Sequence, residues 1–260
     1  MPEWVQVIIL GIIEGITEFL PISSTGHMLI AEHWLPAKQT ETFIAVVQGG
    51  AVLAVLLVFT ERLKQLLKRW HEPETKQFFG KLALAFVITA IGGLVLKKFD
   101  FELEQNATRV AWATLIGGVL ILMVEAWLKK KTPRAEVSWL VAAAVGVGQL
   151  LAIIFPGLSR SGSTILLALG MGTERKAATE FSFLLGIPTL LSAGAYTVLK
   201  TLKGSGDAVK WDMVLLGSVV AAITAFATVR WLLRFVQTHT FNGFGWYRII
   251  LGIVLLLFFL

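Results

Sequence analysis

Several stretches of this chain run without a charge for about the length that crosses a lipid bilayer. Residues 43–59, 137–159, 181–199 and 213–229 approach or exceed the roughly 20 apolar residues a helix needs to span the hydrocarbon core. The runs 82–96 and 110–124 are shorter, but Lys, Arg and Glu flank them and can snorkel to the interface. Hydrophobic residues make up 56% of the 260 and charged residues only 15%, where a soluble domain carries about a quarter charged. The mean hydropathy is +0.76. These features describe a polytopic all-α integral membrane protein, read here as a single domain over 1–260.

Two stretches break the apolar pattern with polar, chemically capable residues. One is Glu-Gly-Ile-Thr-Glu-Phe-Leu-Pro-Ile-Ser-Ser-Thr-Gly-His (14–27); the other is Pro-Gly-Leu-Ser-Arg-Ser-Gly-Ser-Thr (156–164). Ionisable groups at membrane depth are costly and are read as functional by default. With a constant offset the two regions match at Trp4/Trp139, Gly11/Gly146, Pro21/Pro156, Ser24/Ser159 and Ile30/Ile165, and Glu14 falls opposite Gln149. Corresponding Pro/Gly-interrupted segments in two halves point to a midplane site in an inverted repeat. The halves are approximately 1–130 and 131–260.

Periodicity predicts about ten helices, at 3–20, 24–34, 41–60, 79–97, 107–128, 137–155, 160–170, 178–200, 211–233 and 243–260. Between 61 and 70, Leu63, Leu66, Leu67 and Trp70 recur at helical spacing among basic residues, the pattern of an amphipathic helix on the membrane surface. The segments 24–34 and 160–170 reach only about 16 Å at 1.5 Å per residue, half a bilayer. The expected architecture is therefore six full spans plus two re-entrant helical hairpins in an inverted-topology repeat. If 61–81 faces the cytoplasm, 15 Lys and Arg lie inside and 7 outside, with Arg160 assigned to neither; both termini then lie outside. Glu125, near Trp127 and Lys129, is expected at the interface.

The absence of cysteine excludes disulfides and thiolate chemistry. The first 20 residues carry three Glu and no basic segment, so they read as mature protein rather than a signal peptide. The net charge of +6 fits loops facing anionic lipid, and no nucleic-acid partner is expected.

Glu14 and Glu18 lie four apart and share a helix face, with Gly11 and Gly15 leaving room beside them. Two close carboxylates in a low dielectric require a cation or a shared proton, and Mg²⁺ commonly sits on one or two carboxylates plus substrate phosphates. Ser23, Ser24 and Thr25 can cap one helix start. Ser159, Arg160, Ser161, Ser163 and Thr164 stand at another. Helix N-termini expose unpaired N–H groups and a positive dipole end, so the two starts form a cradle for phosphate or diphosphate. Arg160 would add bidentate contacts to phosphate oxygens. The bland alternative is that the hydroxyls only cap and Arg160 pairs with Glu14 or Glu18. His27, one turn past Ser24, could be a nucleophile or an acid/base partner. An inverted-repeat transporter or flippase for an anionic lipid fits the same architecture, with Glu14 and Glu18 binding coupling ions.

The stretches 14–27 and 156–164 resemble the two signature motifs of bacterial undecaprenyl-diphosphate phosphatases of the bacitracin-resistance type, and 178–185 resembles the segment that follows the second motif. The resemblance covers the whole chain. It implies hydrolysis of a polyprenyl diphosphate lipid to the monophosphate carrier and inorganic phosphate, at the outer face of the bacterial cytoplasmic membrane. That reaction recycles the carrier for cell-wall synthesis and confers bacitracin resistance. By the same resemblance Glu14 and Glu18 serve a divalent metal (Mg or Ca) and catalysis. Arg160 holds the diphosphate, and Ser24 and His27 take part in phosphoryl transfer, with water as a third candidate nucleophile. Membrane lipids are the expected surroundings, and a homodimer is compatible with this reading.

Overall fold

Eleven helices and no strand make up the described part of the computed structural model, residues 1–35, 40–99, 106–204 and 209–259. In order they are α1 (Glu3–Thr17), α2 (Ser24–Trp34), α3 (Glu41–Val58), α4 (Thr60–Lys68), α5 (Pro73–Lys98) and α6 (Ala107–Leu128). After these come α7 (Trp139–Ile154), α8 (Arg160–Gly170), α9 (Arg175–Leu202), α10 (Trp211–Thr238) and α11 (Asn242–Phe259). The predicted end at residue 260 and parts of the expected outer loops 97–109 and 200–210 lie outside the described residues. Six helices are long and apolar enough to cross a membrane: α3, α5, α6, α9, α10 and α11. They are the six spans expected from the sequence.

The eleventh helix is α4, the amphipathic segment after α3; Leu66 is buried, and Leu67 and Trp70 are exposed. Several boundaries differ from expectation because charged residues extend the helices. α5 starts at Pro73 rather than 79, where the preset φ of proline suits a first helical position. α10 runs to Thr238 rather than 233, carrying Arg230 and Arg234 in its last turns. α9 begins at Arg175 rather than 178 and continues past Pro188.

Prolines stop the two short apolar helices. A residue before proline is driven out of the α region, and Phe155, before Pro156, sits at ψ 85° just past α7. α1 ends at Thr17, four residues before Pro21, so Glu18 lies in the turn that follows the helix.

Some helix contacts are matched between the halves: α1 lies on α10 as α7 lies on α5, while α6 lies on α11 and α3 on α9; the broad contact of α3 with α10 has only a small counterpart between α5 and α9. Gly11 and Gly15 face the α10 backbone, so they serve this packing rather than clearing space for the carboxylates. The core runs through α1, α3, α8, α9 and α10, with Leu10, Phe19, Ala51, Phe183 and Leu185 fully buried.

Glu125 is fully buried rather than interfacial. Its carboxylate receives Arg175 at both oxygens and the Phe241 N–H at 2.8 Å. One buried carboxylate thus joins α6, the start of α9 and the start of α11.

Candidate active site

The chain turns between α1 and α2, and again between α7 and α8, in the same unusual way. Ser23 (φ 72°) and Ser159 (φ 69°) are the non-glycine residues with positive φ among those described, a conformation that costs on the order of 1–3 kcal/mol. Each serine caps the helix it precedes: Ser23 Oγ accepts from the Gly26 N–H and Ser159 Oγ from the Gly162 N–H, both at 3.2 Å. The geometry therefore matches Ser23 with Ser159, and Ser24 with Arg160. The constant sequence offset had paired Ser24 with Ser159. The one-residue slip comes from Gly157, an extra residue at φ +96° whose added Cβ would lie 2.5 Å from the Val110 carbonyl.

A single carboxylate joins the two turns. Glu18, 6% exposed, accepts from Ser24 Oγ at one oxygen and from Arg160 Nη2 at the other, each at 3.1 Å. Arg160 Nη1 also donates to the Ser182 carbonyl at 3.4 Å, and its guanidinium lies 5.5 Å from the centre of the Phe19 ring. Arg160 Nε is buried without a hydrogen-bond partner. Glu14, 1% exposed, stands beside Glu18 and Gln48, and its Oε1 has no partner. The N–H groups of Ser24 and Thr25 begin α2 without an acceptor among the described residues, as a helix start leaves them.

Glu14, Gln48, Ser24 and Thr25 line a cavity of about 130 Å³, with Met28, Leu29 and Ile44 on its apolar side and Glu32 one turn further along α2. Gln48, inside the otherwise apolar α3, thus lines this cavity.

The other expected site residues are placed differently. Ser161 Oγ donates to the Leu20 carbonyl at 2.9 Å, and Ser163 Oγ to the Gly148 carbonyl at 2.8 Å. Thr164 Oγ1 pairs with Ser182 Oγ at 2.6 Å. These hydroxyls tie α8 to α7, α9 and the first turn. His27 is turned away from Glu18: its Nδ1 meets the Ser23 carbonyl at 2.7 Å and its Nε2 meets the Tyr247 hydroxyl at 2.6 Å. A carbonyl can only accept, so Nδ1 carries a proton and donates it to the Ser23 carbonyl.

Arg160 is not the only basic residue at this depth. Arg248, in α11, is fully buried. Its Nε donates to the Thr114 carbonyl (3.1 Å). Nη1 reaches the carbonyls of Leu158 (2.9 Å) and Pro21 (3.4 Å), and Nη2 those of Gly157 (3.1 Å) and Ala113 (3.2 Å). All five donors of a guanidinium are thus spent on backbone oxygens of α6 and both turns. A count of basic loop residues had placed Arg248 at the cytoplasmic side. The signal that would have found it is an Arg inside the otherwise uncharged final helix.

The chain matches the family described as bacitracin resistance protein BacA over residues 7–254. It is 48% identical to the undecaprenyl-diphosphatase of Rhizobium etli (strain CIAT 652) over 256 residues, covering 98% of this chain and 96% of that protein. It is 46% identical to the enzyme of the same name from Xylella fastidiosa (strain 9a5c) over 259 residues, 98% of each chain. With that of Xanthomonas oryzae pv. oryzae (strain PXO99A) it shares 44% identity over 259 residues, 99% and 97% of the two chains.

Proposed function

The chain belongs to the bacitracin resistance protein BacA family, and from that premise we infer that it is a membrane phosphatase hydrolysing undecaprenyl diphosphate to undecaprenyl phosphate and inorganic phosphate. The observation that carries the assignment to a site is the Glu18 carboxylate, held between a hydroxyl from one turn and a guanidinium from the other. A nucleophile, a base within hydrogen-bond reach of it and a phosphate-binding cation are the parts that phosphoryl transfer requires.

In our reading Ser24 Oγ attacks the terminal phosphorus while Glu18 takes its proton. The bond from that phosphorus to the bridging oxygen breaks, and undecaprenyl phosphate leaves. The departing phosphate takes the proton from Glu18, which is again a carboxylate; water then cleaves the phosphoserine, giving a proton to Glu18, which passes it to Ser24 Oγ as inorganic phosphate is released. Arg160 turns from Glu18 to the diphosphate, where its planar fork offsets charge on the transferred group. The unpaired Nε of Arg160 and the free N–H groups of Ser24 and Thr25 supply further donors. The two nitrogens of His27 are engaged, which favours Ser24 over His27 as the attacking group and leaves His27 to hold the first turn through Ser23.

A divalent cation fits beside Glu14 and Glu18. The buried, unpartnered Glu14 Oε1 next to a second carboxylate calls for a positive partner. Among the described residues no cluster of three or more His, Cys, Asp or Glu could hold an ion alone, so substrate phosphates and water would complete the shell, as Mg²⁺ often requires. When bound, the ion would act as a Lewis acid on the diphosphate oxygens.

We further read α1–α2 and α7–α8 as re-entrant hairpins of an inverted repeat, entering from opposite faces, with both termini outside the bacterial cytoplasmic membrane. The matched helix pairs and the shared serine turns support this. The deciding experiment is phosphate release from undecaprenyl diphosphate by the purified chain in detergent, with no sealed membrane. A transporter or flippase yields no product there.

A further inference from the structure

α5 stands apart from the two helices that precede it. It packs on α7 and α9 but shares no comparable face with α3 or α4. Two hollows occupy the gap, and Leu66 of α4 lines both. One is an apolar groove of about 340 Å³, walled by Leu56 and Leu63, by Phe79 and Phe86 of α5, and by Leu184 and Ile187 of α9. The other, of about 250 Å³, is polar and carries both signs of charge. Within it Arg62 pairs with Glu180 at 2.8 Å and Arg69 with Glu72 at 2.7 Å. That leaves one cation, Lys81, and two carboxylates, Glu74 and Glu136, none of them in an ion pair among the described residues. Lys81 Nζ lies 5.9 Å from the centre of the Trp139 ring, and both are residues of the headgroup level of a membrane.

We propose that this gap is a binding site for a phospholipid whose headgroup carries a phosphate and a primary amine, of the phosphatidylethanolamine type. The phosphate meets Lys81, the ammonium meets Glu74 and Glu136, and one acyl chain lies in the groove beyond Leu66. The site is separate from the phosphatase centre and stands whether or not that reading holds. The charge left in the polar hollow selects the headgroup. A purely anionic headgroup would bring its charge against two carboxylates with a single cation to offset them. A trimethylammonium has no N–H for those carboxylates, whereas a primary ammonium offers three. An apolar groove without an occupant forfeits dispersion contacts along its walls, and an acyl chain restores them. The chain then rests on Leu184 and Ile187, on the same helix as Ser182 and Gly186, which meet Arg160. The lipid thus braces α9 from behind.

The test offers the delipidated chain, in detergent, dioleoyl phospholipids with ethanolamine, choline or glycerol headgroups in turn. Native mass spectrometry counts the lipid retained, and thermal unfolding is followed in parallel. The ethanolamine lipid should be retained about threefold or more over either of the others, the order that partly exposed charge pairs supply, and should raise the unfolding temperature most. Equal retention of all three would mean unselective lipid packing, and greatest retention of the glycerol lipid would mean a plain anion site; either overturns the proposal. Glu74→Gln with Glu136→Gln should erase the advantage over the choline lipid, while Lys81→Met should weaken retention of all three through the phosphate. A preference that survives the double Gln variant lies elsewhere on the chain, which also overturns the site. Leu63→Trp, which fills the groove, should lower retention of the ethanolamine lipid, and unchanged retention counts against the acyl-chain groove.

Discussion

The guanidinium of Arg248 occupies the space that a side chain on Gly117 would need: a Cβ there would lie 2.1 Å from Nη2. α6 and α11 therefore meet around a cation fixed by five carbonyls, with no carboxylate in an ion pair with it among the described residues. Arg248→Met should leave buried carbonyls unsatisfied, at about 1–3 kcal/mol each when no water replaces the donor. Thermal unfolding in detergent should report a loss of at least about 3 kcal/mol by the same reasoning. Arg248→Lys, with three donors, should fall between. A lysine variant as stable as the parent would show that the five bonds do not hold the turns.

Glu18→Gln keeps an oxygen toward Arg160 but removes the base beside Ser24. Rate on undecaprenyl diphosphate should fall by about 10²–10⁴, the usual contribution of a positioned base, while the unfolding temperature stays near that of the parent. A parental rate would transfer the proton to another acceptor.

Metal dependence should be concentrated at Glu14. Chelation should abolish hydrolysis and added Mg²⁺ or Ca²⁺ should restore it. Glu14→Gln should raise the metal concentration needed for half-maximal rate, with excess metal restoring part of the activity. A variant with the parental metal curve would leave Glu14 as a structural carboxyl.

Arg160→Lys retains the charge and loses the planar fork. Losing one charge-assisted contact that strengthens in the transition state costs about 3–4 kcal/mol, about 10²–10³ in rate. Because Glu18 also holds Ser24, Arg160→Ala should remain folded and monodisperse. Parental hydrolysis by the lysine variant would remove Arg160 from the substrate, and failure of Arg160→Ala to fold would make it chiefly the counter-charge of Glu18.

Topology can be read with single cysteines, since the chain starts with none. Labels in 61–78 and 129–136 should report the cytoplasm, and labels at 200–210 or at either terminus the outside. Labelling of 129–136 and 200–210 from one side would rule out the inverted arrangement.

Much of this was legible in the residues because membrane depth leaves a strong compositional mark. The six spans followed from uncharged runs, and Glu14, Glu18, Ser24 and Arg160 stood out as polar residues beside helix-breaking prolines. What escaped was what depends on packing. Arg248 and Glu125 look like interfacial charges near the ends of apolar segments, and only the fold shows which surfaces enclose them. The slip of one residue at Gly157 escaped because spacing alone does not reveal where an inserted residue takes a left-handed turn. The hydroxyls of Ser161, Ser163 and Thr164 resembled those of Ser24 and Thr25 in sequence, yet they are spent on the Leu20 carbonyl, on α7 and on α9 respectively.

Arg248 grips both turns through main-chain oxygens, which every amino acid carries. The identities of Leu158 and Ala113 are thus irrelevant to that grip, and sequence drift at those two sites would leave it intact. Replacement of Arg248 is another matter, because no single neighbouring mutation can return five donors to one point. As far as this lock is concerned, the turns are free to vary around a residue that is not.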